Sequence, residues 1–207
     1  MSSTSVVRRL ILLRHGQTEW SRSGRHTGRT DIPLTPEGEA AAAALAPALA
    51  GRTFAAVFTS PAQRAIRTAE LAGLAGNERN TKQDPDLWEW DYGGYEGVTT
   101  AEIQQARPGW NLWRDGVIAG DADHPGESVD EVGARADRVL ARASDMRTDG
   151  DVALVAHGHF LRVLTARWLG LPASDGRLFR LDTSTISTLG TEHDEPVIAA
   201  WNVPPAA

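Results

Sequence analysis

The sequence predicts an α/β protein built on an open sheet, and three observations carry that prediction. Two short, continuously apolar runs, residues 10–13 and 152–156, have the pattern of central strands buried on both faces. Each runs at once into a histidine, in Arg14-His15-Gly16 and in His157-Gly158-His159, at the carboxyl end of the strand where open α/β sheets bind ligands. Between the two runs, helix-start signals follow apolar stretches, so strands and helices alternate.

The elements follow in order. Residues 10–13 form the first strand, and a polar, glycine-containing loop spans 17–34. Thr35-Pro36-Glu37 supplies an N-cap, a proline at the first helical position and an acidic first turn, opening an alanine-rich helix to about Leu49. Residues 55–59 form a second strand. Ser60-Pro61 repeats the cap-then-proline start and puts Gln63, Arg64, Arg67 and Thr68 on a helix, with Arg64 in its first turns beside the crevice. Ser128 and Glu131 have capping-box spacing, and Val132, Ala136, Val139, Ala143 and Met146 form the apolar stripe of the helix they start. Then come a strand at 152–156, a helix at 160–169, and later or edge strands at 186–189 and 197–201. Residues 87–127 break the rhythm: Trp88, Trp90, Tyr92, Tyr95, Trp110 and Trp113 lie among Gly, Asp and Pro, and this stretch is expected to form a lid. The whole of 1–207 reads as one domain, with residues 204–207 a frayed tail.

With 207 residues, 41% of them apolar, the chain can bury a core without staples. The absence of cysteine excludes thiol catalysis, disulfides and cysteine-based zinc sites. A net charge of −6 argues against nucleic acid or an anionic membrane as partner. Lys82 is the single lysine, so arginine abundance by itself says little about phosphate binding. Arg8 and Arg9 precede an apolar run too short for a signal peptide, which points to a cytoplasmic protein. A homodimer is left open.

The chemistry lies where the strands end. A phosphoryl group needs cationic donors converging on its oxygens, and the planar fork of arginine suits two of them at once; Arg14 and Arg64 are the candidates. A histidine among such charges is held neutral and nucleophilic, which fits His15. His157, opposite it, can donate to an equatorial oxygen of the transition state. The leaving alkoxide needs a proton, and Glu89, between Trp88 and Trp90, has an apolar setting expected to keep a carboxyl partly protonated. His26, His124 and His193 lack the spacing of a metal site and read as loop residues; no metal and no cofactor is expected. Taken singly these residues are unremarkable, and their joint occurrence carries the inference.

The segments Leu12-Leu13-Arg14-His15-Gly16-Gln17-Thr18-Glu19-Trp20, Thr27-Gly28 with Asp31-Ile32-Pro33-Leu34-Thr35, Thr59-Ser60-Pro61-Ala62-Gln63-Arg64-Ala65, Leu87-Trp88-Glu89-Trp90-Asp91-Tyr92-Gly93, Gly126-Glu127-Ser128 and Ala156-His157-Gly158-His159 resemble the histidine phosphatase superfamily, in its phosphoglycerate mutase-like branch. They stand in family order over nearly the whole chain. The resemblance implies a three-layer αβα sandwich with a mostly parallel central sheet, a phosphohistidine on His15, a phosphate pocket of Arg14, Arg64 and His157, and Glu89 as proton donor. It also implies substrate contacts from Ser21, Thr27, Gly28, Tyr92 and Gly158. Within the family the segments look most like those of actinobacterial acid phosphatases and of fungal sedoheptulose-1,7-bisphosphatase.

The expected activity is therefore metal-independent hydrolysis of a small phosphorylated metabolite, a sugar phosphate or bisphosphate. Phosphoglycerate mutase is the second reading. Ser21 and His159 where mutases carry asparagine, and the missing basic insertion after Tyr92-Gly93, argue against it. An inactive phosphate-binding scaffold is the third, and retention of His15 with Glu89 argues against that one.

Overall fold

The computed structural model describes residues 9–74, 81–146 and 150–205. Arg8 and the last two residues of the expected tail, Ala206 and Ala207, lie outside the described residues. Six strands, β1 (Leu10–Arg14), β2 (Phe54–Thr59), β3 (Thr81–Gln83), β4 (Asp151–Ala156), β5 (Ile186–Glu192) and β6 (Glu195–Val203), form one open sheet in the order β3-β2-β4-β1-β5-β6. The first four are mutually parallel, while β5 and β6 pair antiparallel. The sheet is thus mixed: four parallel strands run from the β3 edge to β1, and the antiparallel β5 and β6 form the other edge.

Alternation along the central strands splits the core into two layers. Leu10, Leu12, Leu154 and Ala156 face one side with Val132, Val139, Phe160 and Leu164 of helices α7 (Val129–Met146) and α8 (Gly158–Trp168). Ile11, Leu13, Ala153 and Val155 face the other with Leu45, Leu49, Ala65 and Ala69, contributed by and between α2 (Pro36–Ala43), α3 (Ala46–Leu49) and α4 (Gln63–Leu71). Helices on both faces of a sheet make the αβα sandwich. Among the described residues no helix is long and apolar enough to cross a membrane.

Several local expectations change. The alanine-rich helix breaks after Ala43 and restarts at Ala46, because Pro47 has no N–H to donate to the carbonyl of Ala43. Two short helices arise where loop was expected: α1 (Glu19–Ser23), capped by Thr18 and Ser21, and α5 (Thr100–Ala106), capped by Thr99 and Glu102. Both caps are legible at i, i+3 spacing. The Ser128–Glu131 box forms as expected, Ser128 N–H donating to Glu131 Oε2 at 2.8 Å. In the stretch 87–127, the rings of Trp90, Tyr92, Tyr95 and Trp110 are buried in the same core layer as α7 and α8, beside the short α6 (Leu112–Asp115).

Candidate active site

Residues Arg14 and Ala156 are paired in register across β1 and β4, so the chain delivers His15 and His157 from adjacent strand ends. Their rings meet edge to face with centroids 5.1 Å apart. His15 Nδ1–H donates to the carbonyl of Gly16 at 2.7 Å; a carbonyl only accepts, so the lone pair is on Nε2. Burial, followed by the charges of Arg64 and Arg14, holds the His15 pKa well below the ordinary imidazole value, which keeps the ring neutral. Gly16 is fixed in turn, its N–H donating to Thr68 Oγ1 at 3.0 Å, and a Cβ there would stand 2.5 Å from the carbonyl oxygen of Gly38.

His157 is fully buried and has a defined tautomer. Arg64 Nε donates to its Nδ1 at 3.2 Å, so the proton is on Nε2, which donates to Ser60 Oγ at 2.7 Å. Ser60 Oγ also accepts from Ala62 N–H at 3.3 Å, but the N-cap position of α4 falls later, at Ala62. That helix starts at Gln63, and its first N–H donates to the Asp31 carboxylate at 3.0 Å, a cap supplied from 32 residues away. No local signal marks Asp31 as a cap.

Arg64 is also fully buried. Besides His157, it donates from Nη1 to Thr30 O (2.9 Å) and from Nη2 to Gly28 O (2.8 Å). The loop carrying these carbonyls has no sheet ladder, so its inward-turned oxygens need donors, and the guanidinium supplies them. Arg64 thus holds the 27–30 loop against His157. Glu96 completes the loop by accepting from Gly28 N–H at 2.9 Å and Thr30 N–H at 3.1 Å. Nothing in the sequence around Glu96 announces that task.

A cavity of about 320 Å³ opens at the strand ends. Arg14, His15, Ser21, Thr27, Glu89, Tyr92 and Gly158 line it, while Arg64, His157 and Gly28 do not. Arg14 donates from Nη1 to Leu181 O, and its buried Nε has no hydrogen-bond partner among the described residues. Gly158 makes room for that guanidinium, since a Cβ would stand 3.1 Å from Arg14 Cζ and 3.2 Å from Nε. Gly28 is likewise a close-approach residue, where a Cβ would stand 2.7 Å from Glu96 Oε2 and 2.8 Å from the carbonyl oxygen of Trp90. Ser21 spends its hydroxyl on the α1 cap, accepting from Thr18 N–H at 2.9 Å.

Glu89 is 5% exposed, and its setting is not the apolar one expected from its tryptophan neighbours. Its carboxylate accepts from three backbone N–H groups: Trp90 (2.9 Å), His159 (3.0 Å) and Phe160 (2.8 Å). The last two belong to the first turn of α8, whose free N–H groups and positive dipole end complement a carboxylate. Sequence neighbours misled here because the indoles point elsewhere: Trp90 Nε1–H donates to Glu127 O and Trp88 stacks parallel to His157.

Two histidines not foreseen for the site line the cavity. His26 donates from Nδ1 to Val98 O at 2.6 Å and packs edge to face on Trp110. His159 Nδ1 lies 2.6 Å from the Tyr92 hydroxyl. Burial raises the Tyr92 pKa well above its ordinary value and lowers that of His159 well below, so the phenol donates and the imidazole accepts. Arg25, Arg162 and Asn111 add polar groups to the cavity wall. Among the described residues no cluster of His, Asp and Glu could hold a metal ion.

Comparison with known proteins places the chain in a family. The family described as histidine phosphatase superfamily (branch 1) matches residues 10–204. An acid phosphatase of Mycobacterium tuberculosis is 44% identical over 192 residues, covering 89% of this chain and 87% of its own length. The sedoheptulose 1,7-bisphosphatase of Saccharomyces cerevisiae is 38% identical over 194 residues, covering 81% and 69%. A solved structure of an open reading frame product from Mycobacterium tuberculosis superposes with a TM-score of 0.87 at 39% identity, covering 96% of this chain and 99% of that one.

Proposed function

The chain belongs to the histidine phosphatase superfamily and is a phosphatase, and on that premise we propose that it hydrolyses a small phosphorylated metabolite, a sugar phosphate or bisphosphate, through a phosphohistidine on His15. The observation that carries this reading is the pairing of a neutral His15, its Nδ1–H locked to Gly16 so that the lone pair is on Nε2, with an Arg14 Nε that has no partner among the described residues, both residues lining one cavity. A buried unpaired cationic donor costs stability unless an anion meets it.

In the proposed sequence His15 Nε2 attacks phosphorus, the P–O bond to the leaving group breaks, and the departing alkoxide takes a proton from Glu89. In this reading Glu89 carries that proton when the P–O bond breaks. In the second step ionised Glu89 takes a proton from water, whose oxygen attacks phosphorus and releases neutral His15 and inorganic phosphate. Arg14 meets the phosphoryl oxygens. Arg64 and His157 do not line the cavity; Arg64 adds positive charge and holds the 27–30 loop, of which Thr27 lines the cavity, and the neutral His157 ring accepts from Arg64 Nε. In this reading Arg14 and Arg64 supply the positive charge, and activity is expected to persist in excess chelator. The names of the relatives, an acid phosphatase and a sugar bisphosphatase, support hydrolysis over transfer.

The test is a panel of sugar phosphates, bisphosphates, 3-phosphoglycerate and an aryl phosphate, assayed for phosphate release in excess chelator. Release is expected, with an acid-labile phosphoryl group on the quenched protein that His15→Ala lacks. Conversion of 3-phosphoglycerate to 2-phosphoglycerate without phosphate release would make the protein a mutase. A phosphoryl label retained in His15→Ala would remove the nucleophile assignment.

A further inference from the structure

Glu89 lies outside helix and strand, so no ladder sets its backbone, yet a proton donor must be placed to within a fraction of an ångström. The side chain that places it is on α7. Arg135 is 8% exposed, and its donors all meet this region. Nε donates to Glu127 Oε1 at 2.7 Å, Nη2 to Glu127 Oε2 at 2.8 Å and to Glu89 O at 3.3 Å, and Nη1 to Asp86 O at 2.7 Å and Trp88 O at 2.9 Å. A guanidinium has five N–H groups, and each has a partner here. Its carbon stands 5.1 Å from the ring centroid of Phe160, the residue whose N–H donates to Glu89 Oε1.

Glu127 closes the clamp from the other end. Its backbone N–H donates to Asp91 O at 3.0 Å, its carboxylate accepts from Asp91 N–H at 3.0 Å, and its carbonyl accepts from the Trp90 indole at 2.8 Å. The backbone on both sides of Glu89 is therefore tied to one buried ion pair.

We propose that Arg135, paired with Glu127, is a positioning residue for the reaction, acting through Glu89 and not through the substrate. This rests on the reading of Glu89 as proton donor. Lysine, a point charge with three donors, cannot reproduce the planar fork, so Arg135→Lys should let the Glu89 segment drift while leaving His15 and Arg14 in place.

The test is single-turnover phosphorylation of the protein by an alkyl phosphate and by a nitrophenyl phosphate, for wild type, Glu89→Gln, Arg135→Lys and the double variant. With the alkyl phosphate, Arg135→Lys is expected to lose about 10- to 100-fold, the scale of a displaced general acid, and with the nitrophenyl phosphate about 3-fold or less. In the Glu89→Gln background the same change should cost nothing further, because there is no acid left to misplace. Equal losses with both leaving groups, or losses that multiply with those of Glu89→Gln, would overturn the proposal. If circular dichroism shows Arg135→Lys unfolded, Glu127→Gln weakens the clamp at constant shape. It should give the same leaving-group dependence at smaller size, and a uniform loss would overturn the proposal equally. Glu89→Gln alone reports on the underlying reading: if its loss does not depend on the leaving group, Glu89 is not the acid and Arg135 has nothing to position.

Discussion

The two sides of the site are held in place by different means. His15 and Arg14 finish a central strand, where hydrogen bonds to β4 and β5 and a core packed on both faces set their positions. Glu89 stands on an irregular stretch whose backbone is tied by side chains from α7 and from Glu127, and whose carboxylate is tied by the first turn of α8. A strand end is specified by apolar alternation that is local in sequence. The Glu89 segment is specified by partners about 40 to 70 residues away, Glu127 and Arg135 on one side and His159 and Phe160 on the other. In the proposed mechanism, then, the nucleophile is built on regular structure while its acid depends on a tertiary clamp.

The comparison is broken most severely at Glu89. Glu89→Gln should slow phosphorylation by an alkyl phosphate on the order of 10²- to 10⁴-fold, the range of a positioned general acid, and far less by a nitrophenyl phosphate, whose phenolate leaves unaided. His15→Ala, by contrast, should be inactive with both leaving groups. Rapid-quench measurement of the phosphoenzyme separates the two patterns, and equal losses with the two substrates in Glu89→Gln would point to a different acid.

A smaller effect tests the strand-end side. In Gly158→Ala the new Cβ would meet the Arg14 guanidinium at 3.1 to 3.5 Å, so the arginine has to give way. Alanine favours a helix over glycine, and α8 begins at this residue, so thermal stability should hold or rise slightly. Activity should nevertheless fall about tenfold in kcat/KM for every leaving group, the scale of a misplaced phosphate ligand. A loss confined to alkyl phosphates would mean that the change is felt through Glu89.

A further effect, on stability and not on the chemical step, comes with pH. Burial holds His15, His157 and His159 well below the ordinary imidazole value, helped by Arg64 at the first two and Arg162 at the third. Their pKa values are depressed on folding, so below about pH 6.5 the unfolded chain binds more protons than the folded one. Stability is full above that pH and is lost as pH falls toward the folded values, each ring contributing at most about 1.4 kcal/mol per pH unit. Thermal unfolding should show a Tm that is flat above neutrality and declines between about pH 6.5 and 5. A Tm unchanged from pH 7 to 5 would mean that the histidines are less buried than the structure has them.

Much of this was legible in the chain. The apolar runs located β1 and β4, the caps at Thr35 and Ser128 started their helices at the right residues, and the two histidines at strand ends converged. What misled was also specific. Ser60-Pro61 looked like a helix start, but the hydroxyl serves His157 and the cap comes from Asp31. Trp88 and Trp90 suggested an apolar home for Glu89, but flanking residues in an irregular segment need not share its surroundings. His26 and His159, both lining the cavity, carried no periodic signal at all.

By itself, then, the sequence determined the central strands, the longer helices and the meeting of His15 with His157, because periodicity and capping are written in neighbouring residues and a strand ends where its apolar run ends. The tertiary structure alone decided which tautomer each histidine holds, that Arg64 spends its donors on the carbonyls of Thr30 and Gly28, and that Glu89 rests on backbone N–H groups. Those outcomes follow from satisfying buried polar groups, and the partner that satisfies each is set by distance in space, for which separation along the chain is no guide.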